Sequence, residues 1–372
     1  MYLTHIGISE LRSIQLLSMK PTKALNFIFG PNNAGKTSIL ESIHLASTSK
    51  SFKASDLDKL ANYQANCYKV AIKFSENTSN DVIIFEKYLN RPKRLYLNEK
   101  LTSVSNTMRH LPVQILNFGN QNIFNQKSDV RRSYIDWGVF HVEPSYNELL
   151  KTFSTALLAR NKILKKRDLR ELQVWTDKFV EASLKINEFR ESYFNQLAPQ
   201  FVDLLGNTEG LSEYLYDDVS SSKLIFYKGW LDDLRDELSS CQDKDLALGY
   251  TSKGPHRADF DAITNSGQIR DIGSMSTQVI LNFCICLSQA RVFHVKHKHM
   301  PVMLIDDLFF GIDNKNLEVV IKLLNDSGQQ CFLTAPDSLE ERLLALVNKP
   351  KGKFFFIDNG EISERQIDRG SL

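Results

Sequence analysis

The hydrophobic positions of this chain change their spacing twice along its length. In the first third, β-branched and aromatic residues alternate or cluster in short runs, a pattern that is typical of strands. We predict strands at residues 2–8, 25–29, 67–75, 81–88 and 95–97, with a hairpin turn at residues 98–100. One helix is expected after the second of these strands.

The middle of the chain has the spacing of helices instead. Apolar residues recur every three or four positions, as on one face of an amphipathic helix. They are Tyr146, Leu149, Leu150, Phe153, Leu157 and Leu164, followed by Ile186, Phe189, Tyr193 and Leu197.

The last third alternates again between strands and helices. Strands are predicted at residues 302–305, 330–333 and 354–357, and helices near residues 315–325 and 338–347. Alternation at both ends around a helical middle predicts an α/β fold with a helical insertion. We draw the boundaries as residues 1–122 and 298–372 for the two parts of one α/β lobe. Residues 123–297 form the helical second lobe.

A phosphate-binding pattern follows the strand at residues 25–29. Residues 30–37 read GPNNAGKT, the G-x-x-x-x-G-K-[ST] pattern, and a helical pattern follows at once. Such a loop wraps backbone N–H groups around a phosphate, and the helix dipole favours the anion. In this pattern Lys36 reaches the outer phosphates and Thr37 binds Mg²⁺. The residues predicted to bind ATP here are Gly30, Pro31, Asn32, Asn33, Ala34, Gly35, Lys36, Thr37 and Ser38.

A second acidic site is predicted far along the chain, where residues 301–307 read PVMLIDD. Asp306 ends a hydrophobic strand and is expected to hold Mg²⁺ opposite Thr37. Asp307 is expected to polarise the attacking water. The alternative is that both carboxylates cap a strand and are solvated. Most of the chain separates this strand from Lys36, a spacing that is typical of the ABC-type ATPase heads of SMC and Rad50 proteins.

Composition narrows the class of protein. The chain has 372 residues, 46 Lys and Arg against 44 Asp and Glu, and a net charge of +2. These values exclude a disordered chain and a disulfide-stapled miniprotein, and any nucleic-acid surface must be a local patch. Five scattered cysteines indicate reduced thiols in a cytoplasmic protein.

No membrane segment is predicted. The first residues lack the pattern of a signal peptide. The longest apolar run, residues 279–290, is too short for a span and contains Asn282 and Gln289. The histidines at positions 294, 297 and 299 have no carboxylate or cysteine nearby, so no metal site is predicted there.

Two weaker signals remain open. Lys162, Lys166 and Arg170 are spaced by four residues, so we expect them to share one helix face. That face either contacts a phosphate backbone or is simply solvated. His256 and Arg257 follow Gly254 and Pro255 in an unusual loop, which either approaches a nucleotide, positions the two lobes, or is only structural.

Several stretches of the chain resemble the RecF family, in the same order and over nearly the whole length. They are residues 11–13 with the phosphate loop, SFK at 51–53, the RRxxIDWGxFHxEP stretch at 131–144, Arg160 with Asn161, GPHRxD at 254–259, LIDD at 304–307, and residues 356–362.

The resemblance implies a compact, Rad50-like P-loop ABC-type ATPase head with a helical second lobe. It implies that Arg12 contacts the nucleotide, and that ATP promotes a head-to-tail homodimer on DNA. Such a protein binds single- and double-stranded DNA at gaps, works with RecR and RecO, and helps to load RecA in recombinational repair and the SOS response. Hydrolysis of ATP is slow in this family and acts as a switch.

The chain departs from the family at its signature segment. A Leu-Ser-x-Gly-Gln sequence is expected near residue 274, whereas residues 273–278 read GSMSTQ. Ser274 or Ser276 can supply a hydroxyl to the partner's γ-phosphate, but the glycine that permits close backbone approach is missing. Asn33 also replaces a usual glycine, and residues 117–121 read NFGNQ in place of a Pro-Glu-Asp-like turn.

These departures keep an alternative open, in which the same scaffold binds DNA or a partner and barely hydrolyses ATP. A transporter ATPase and the ATPase half of a defence nuclease were the other candidates. The helical insertion argues against the transporter, and the lack of an acidic nuclease domain argues against the nuclease.

Overall fold

The computed structural model describes residues 1–76, 79–117, 122–207, 211, 217–307, 314–340, 343 and 352–365. The chain forms two compact units. The sheet unit comprises Met1–Asn122 with His297–Leu372, and the helical unit comprises Ile123–Lys296. Most of the helix predicted at 338–347, and residues 118–121 of the NFGNQ segment, lie outside the described residues.

The described part of the chain contains strands in both units. They are β1 (Tyr2–Leu11), β2 (Ile14–Met19), β3 (Leu25–Gly30), β4 (Cys67–Glu76), β5 (Ser79–Tyr88), β6 (Arg94–Leu97), β7 (Lys100–Leu101), β8 (Val113–Asn117), β9 (Lys223–Tyr227), β10 (Asp259–Ile263), β11 (Val302–Asp306), β12 (Cys331–Pro336), β13 (Lys353–Asp358) and β14 (Glu361–Arg365).

The helices in the same residues range from one turn to ten. They are α1 (Lys36–Thr48), α2 (Val104–His110), α3 (Ser128–Val142), α4 (Tyr146–Lys166), α5 (Leu172–Asn207), α6 (Asp217–Ser220), α7 (Leu234–Ser240), α8 (Gln242–Leu248), α9 (Ile269–Ile272), α10 (Met275–His297) and α11 (Asn314–Ser327).

A mostly parallel sheet brings the two predicted sites of the sheet unit together. Its order is β14-β13-β3-β12-β11-β8, and only β14 pairs in the antiparallel sense. Because parallel strands end at the same edge, the loop after β3 and the acidic end of β11 meet there. Only β12 lies between these two strands, and it contributes Thr334 to the same edge.

The helix after the phosphate loop, α1, lies between two sheets. The second sheet is antiparallel, in the order β2-β1-β4-β5-β6-β7. α1 contacts strands of both sheets. Ile39, Leu40 and Ile43 are fully buried in one cluster with Ile72 of β4 and Leu304 of β11. This packing on both sides fixes the start of α1, and with it the phosphate loop, against the core.

In the helical unit, α4 and α5 pack along each other, and α5 also contacts α3 and β9. β9 and β10 form a two-stranded antiparallel sheet. α10 is longer than the apolar run considered in the sequence, and by length and composition alone it could cross a membrane. However, 83% of its most apolar 18-residue window is buried in the protein, which is what a core helix of a globular unit shows.

Candidate nucleotide-binding site

The phosphate loop has the backbone conformation that its glycines predict. Gly30 has φ 153°, and a Cβ there would lie 2.1 Å from the carbonyl oxygen of Ile357. Gly35 has φ 113° and is the N-cap of α1. Asn33 has φ 64°. Asparagine is among the few side chains that adopt this left-handed region, so the replacement of a usual glycine is accommodated.

Lys36 is folded back onto its own loop. Its Nζ donates to the carbonyl oxygens of Gly30, at 2.6 Å, and Pro31, at 2.8 Å. The residue is only 8% exposed. Burial lowers the pKa of Lys36, and the nearby carboxylates, Asp307 first among them, oppose that shift. An ammonium is thus held at the floor of the loop, where outer phosphates are expected.

Asp306 and Thr37, the two residues predicted to lie on opposite sides of Mg²⁺, are in direct contact. The Thr37 hydroxyl donates to Asp306 Oδ1 at 2.9 Å, and the Thr334 hydroxyl donates to the same oxygen at 2.8 Å. The Asp306 side chain is completely buried, and Lys53 Nζ lies 3.4 Å from its Oδ2. The end of β11 is therefore tied both to the first turn of α1 and to the Ser51–Lys53 segment.

Asp307 lies beside this contact and faces the cleft. It has φ 56°, and its backbone N–H donates to the Thr334 hydroxyl at 2.9 Å. Burial raises the pKa of Asp307, and the neighbouring Asp306 carboxylate raises it further. Its carboxylate therefore holds a proton more readily than an ordinary surface aspartate does.

Arg12 is held by a buried carboxylate that sequence reasoning missed. Its Nε donates to Glu41 Oε2 at 2.6 Å and its Nη2 to Glu41 Oε1 at 3.1 Å. The Glu41 side chain has no solvent exposure. The Ser51 hydroxyl also donates to Glu41 and accepts from the backbone N–H groups of Lys53 and Ala54. The sequence contains one signal for this role, namely that Glu41 is a charged residue among the apolar positions of α1.

These groups line one cleft of about 580 Å³ in the sheet unit. It is lined by Arg12, Ser13, Asn32, Asn33, Gly35, Lys36, Thr37, Ser38, Lys53 and Asp307. The lining contains three cations and one carboxylate, and the carboxylates of Glu41 and Asp306, which pair with Arg12 and Lys53, are buried beneath it. The surface of the cleft therefore presents mainly N–H donors of cationic groups to an anion. Its volume lies within the range of ligand pockets, about 300–1,000 Å³. Of the other predicted residues, Gly30, Pro31 and Ala34 form the backbone of the loop, and Asp306 lies behind Thr37.

Ser274 and Ser276 belong to the helical unit. Ser274 Oγ accepts from the Thr277 backbone N–H at 3.2 Å and lies 2.9 Å from the Thr277 hydroxyl. Ser274 thus caps the start of α10, and Ser276 lies in the first turn of that helix. Their contact with a nucleotide on a second copy stays a prediction.

Motifs in the helical unit form internal ion pairs. Arg131 binds both oxygens of Asp259, through Nε at 2.6 Å and Nη2 at 2.8 Å. Arg190 Nη1 donates to the carbonyl oxygen of Pro255 at 2.7 Å. His256 lies with its Nε2 2.9 Å from the carbonyl oxygen of Thr251, and burial lowers the pKa of His256 to about 4. These contacts favour the structural interpretation of this loop.

The prediction that Lys162, Lys166 and Arg170 share one helix face is wrong. α4 ends at Lys166, and Arg167 adopts a left-handed φ of 54°. Arg170 therefore lies in a 3₁₀ turn, Leu169–Glu171. The three side chains nevertheless line one cleft with Trp175.

Comparison with known proteins adds to this geometry. Residues 2–355 match the RecF/RecN/SMC N-terminal domain family. The DNA replication and repair protein RecF of Pseudomonas paraeruginosa is 28% identical over 343 residues, covering 91% of both chains. RecF of Coxiella burnetii is 28% identical over 368 residues, covering 97% of this chain and 99% of the relative. A structure of the recombination mediator protein RecF with ATP, in the RecFOR pathway, superposes with a TM-score of 0.80 at 22% identity, over 98% of each chain.

Proposed function

The chain belongs to the RecF/RecN/SMC N-terminal domain family, and from that premise we propose that it is an ATP-switched protein of DNA replication and repair. The resemblance to RecF proteins and the ABC-type ATPase head fold expected from the sequence are both confirmed. ATP binding is part of the proposal, and the structure of a RecF protein with ATP supports it. The finer assignments below are proposals.

One observation carries the proposal. The Thr37 hydroxyl lies 2.9 Å from Asp306 Oδ1, although most of the chain separates the two residues. A glycine-rich turn without a ligand requires no carboxylate at this point. A phosphate loop that works with a metal ion requires one.

In this proposal, backbone N–H groups of residues 32–38 surround the ATP phosphates. Lys36 turns from its loop carbonyls to the outer phosphates. Arg12 and Lys53 add positive charge at the rim of the cleft. Charge-assisted hydrogen bonds of this kind are roughly twice as strong as neutral ones. The three cations offset the phosphate charge and hold the nucleotide in a fixed orientation.

The donor set also fits Mg²⁺. Thr37 Oγ1 and Asp306 are adjacent hard oxygen donors, and Mg²⁺ is usually held by one or two such groups together with phosphate oxygens. The Lys53 ammonium, 3.4 Å from Asp306 Oδ2, already brings a positive charge beside this carboxylate. When bound, the ion would neutralise charge on the phosphates.

Asp307 is the proposed catalytic residue. Its carboxylate oxygen accepts a hydrogen bond from the attacking water and so orients it toward the γ-phosphate. The Thr334 hydroxyl holds the Asp307 backbone through its N–H, which keeps the carboxylate at the mouth of the cleft.

We further propose that the protein acts in the cytoplasm as a homodimer on gapped, single- and double-stranded DNA. Ser274 or Ser276 of one copy would cover the γ-phosphate bound by the other. RecR, and also RecO, would be direct partners, and RecA loading would follow indirectly. The names of the relatives, RecF and a recombination mediator of the RecFOR pathway, support this part.

A second candidate is the same scaffold with almost no ATP hydrolysis. The start of α10 favours it, because Ser274 is engaged in capping and no glycine follows before Gln278. Without that glycine, backbone N–H groups approach a partner's γ-phosphate less closely.

Size-exclusion chromatography with light scattering tests the proposal. The mass is measured without ligand, with ATP and Mg²⁺, and with ATP, Mg²⁺ and gapped DNA. We expect a weak shift toward the dimer with ATP alone and a stronger one with DNA, since DNA holds two copies close together. A protein that binds ATP and DNA and stays monomeric in every condition would contradict the clamp and favour the second candidate.

A further inference from the structure

Positive charge is concentrated at the hairpin tip that joins α4 to α5 in the helical unit. Residues 162–171 contain five cations and two anions, a net charge of +3, whereas the whole chain carries +2. The remainder of the chain is therefore close to neutral. The hairpin tip is therefore a local basic patch, although not the only one in the sequence, since residues 91–94 read RPKR.

The hairpin tip contains a cleft of about 480 Å³. It is lined by Ala159, Lys162, Ile163, Lys166, Asp168, Arg170, Glu171 and Trp175. The Trp175 indole is partly buried, and Lys178 Nζ lies 4.7 Å from its ring centre. The cleft thus combines cations with an aromatic ring.

The local backbone produces this arrangement. α4 ends at Lys166 because Arg167 is left-handed, and a 3₁₀ turn at Leu169–Glu171 leads into α5. Arg170 lies in this 3₁₀ turn, and its Nε and Nη2 donate to the two carboxylate oxygens of Asp168 at 2.8 and 2.6 Å. This pair holds the guanidinium at the rim of the cleft.

Two cations of the cleft are not neutralised. Lys162 and Lys166 are exposed, one helical turn apart, and neither has an ion-pair partner in the part of the chain that the structure describes. By contrast, Lys151 on the same helix and Lys185 on α5 pair with glutamates three residues away. Lys162 and Lys166 thus keep their positive charge available for an anion, although Asp168 and Glu171 line the same cleft.

We propose that this cleft binds a segment of single-stranded nucleic acid. Lys162, Lys166 and Arg170 contact successive phosphates, and one unpaired base packs against Trp175. The proposal rests on the proposed function, and it locates a DNA surface that the function itself does not specify. Aromatic rings bind bases of any sequence because every base has a π-face.

The recessed ring favours a single strand over a duplex. Bases in a duplex are stacked on one another, so a duplex would contact only the exposed lysines. An unpaired base can leave its stack and enter the cleft, while its flanking phosphates follow the cations. An acidic peptide would satisfy the lysines, but it would gain little from the indole.

The test is fluorescence anisotropy of a labelled oligothymidylate of about 15 nucleotides. This length lies within the site sizes of proteins that bind single strands, about 4–16 nucleotides per OB fold. ATP is omitted. The tip variant is Lys162→Gln with Lys166→Gln and Arg170→Gln. The matched control is Lys151→Gln with Lys185→Gln and Lys244→Gln, which removes the same charge from the same unit. Trp175→Phe is measured separately.

We expect the tip variant to bind at least about tenfold more weakly than the wild type at 0.1 M salt. The slope of log affinity against log salt concentration should also become less negative by about 2, because each of the three lost phosphate contacts contributes about 0.7 to that slope on a single strand. Trp175→Phe should weaken binding by about fivefold. The control should stay close to the wild type.

Three results would overturn the proposal. Equal losses in the tip variant and the matched control would show that only overall charge matters. An unchanged tip variant would place the DNA surface elsewhere. Stronger competition by polyglutamate than by unlabelled oligothymidylate would assign the cleft to an acidic protein.

Failure here can be separated from failure of the proposed function. Nucleotide binding is measured on the same tip variant, which leaves the ATP cleft untouched and should bind ATP normally. If the wild type binds no oligonucleotide without ATP, the hairpin-tip inference fails, and only a repeat with ATP and Mg²⁺ that also shows no binding counts against the DNA-binding part of the proposed function. If the wild type binds and the tip variant binds equally well, only the hairpin-tip inference fails.

Discussion

At the scale of single residues, Glu41 connects both cationic sides of the ATP cleft. Its carboxylate accepts from Arg12 on one side and from Ser51 on the other, and Ser51 in turn fixes the backbone of Lys53. A buried carboxylate is costly unless it is paired and hydrogen-bonded, and here it is both. In the proposed function, Glu41 is therefore a positioning residue for the groups that would contact the nucleotide.

Replacing Glu41 by Gln should weaken ATP binding by about tenfold, because the amide cannot hold Arg12 through two charge-assisted hydrogen bonds, each worth about 1.5–3 kcal/mol. Binding of a fluorescent ATP analogue measures the change. In an Arg12→Gln background the same substitution should have little further effect. Additive losses in the double variant would contradict a role that acts through Arg12.

Asp307→Asn should leave ATP affinity within about twofold and slow hydrolysis by about 10²–10⁴-fold, the usual contribution of a positioned base. The pH dependence has a definite sign. The pKa of an ordinary aspartate is near 3.9. Because burial and Asp306 raise the pKa of Asp307 above its ordinary value, its carboxylate takes up a proton at a higher pH than an ordinary aspartate does. Hydrolysis should therefore fall as pH drops through that raised value. A wild-type rate without this acid limb would exclude Asp307 as the base.

At the scale of elements, local patterns predicted the strand–loop–helix of the phosphate site. An apolar run predicts β3, a glycine pattern predicts the loop after it, and helically spaced apolar residues predict α1. β2 was missed because two consecutive leucines, Leu16 exposed and Leu17 buried, interrupt the alternation of apolar and polar residues. The ion pair of Arg131 with Asp259 was invisible, because no local pattern links residues in different elements. Arg170 was misassigned because one left-handed residue, Arg167, ends the helix.

Gly138 tests the packing of α3 on α5. A Cβ at this position would lie 2.0 Å from Cζ and 2.1 Å from Oη of Tyr193. Gly138→Ala should therefore lower the free energy of unfolding by about 1–3 kcal/mol, through overpacking. Urea unfolding measures it.

Gly206→Ala is the matched control for that substitution. Gly206 lies near the end of α5, and a Cβ there meets nothing within 4 Å among the described residues. Alanine is favoured over glycine in helices by up to about 1 kcal/mol. The control should be neutral or stabilising, and a destabilisation equal to that of Gly138→Ala would refute the steric explanation.

At the scale of the whole molecule, the proposed clamp depends on a second copy. Asp306 and Thr37 lie together in the sheet unit, whereas Ser274 and Ser276 belong to the helical unit, and the family resemblance assigns them to the partner's nucleotide. The near-neutral charge of +2 means that two copies do not repel one another strongly. In the proposed clamp, nucleotide and DNA would then set the assembly.

Asp307→Asn should accumulate the dimer with ATP, Mg²⁺ and gapped DNA, because ATP persists while Thr37 and Asp306 are intact. Light scattering gives the dimer fraction, and we expect it to exceed that of the wild type at least twofold. The ATP-free variant, measured in parallel, should remain monomeric. A dimer fraction that is equal with and without ATP would contradict the switch.

The central claim is that ATP binds in the cleft that Lys36 and the Thr37–Asp306 contact define. Calorimetric titration of ATP with Mg²⁺ into the wild type, Lys36→Ala and the surface control Lys50→Ala tests it most directly. We predict that Lys36→Ala stays folded and binds ATP at least about 100-fold more weakly, since it loses charge-assisted contacts to the phosphates, while Lys50→Ala binds as the wild type does. Equal ATP affinity in the wild type and Lys36→Ala would contradict it.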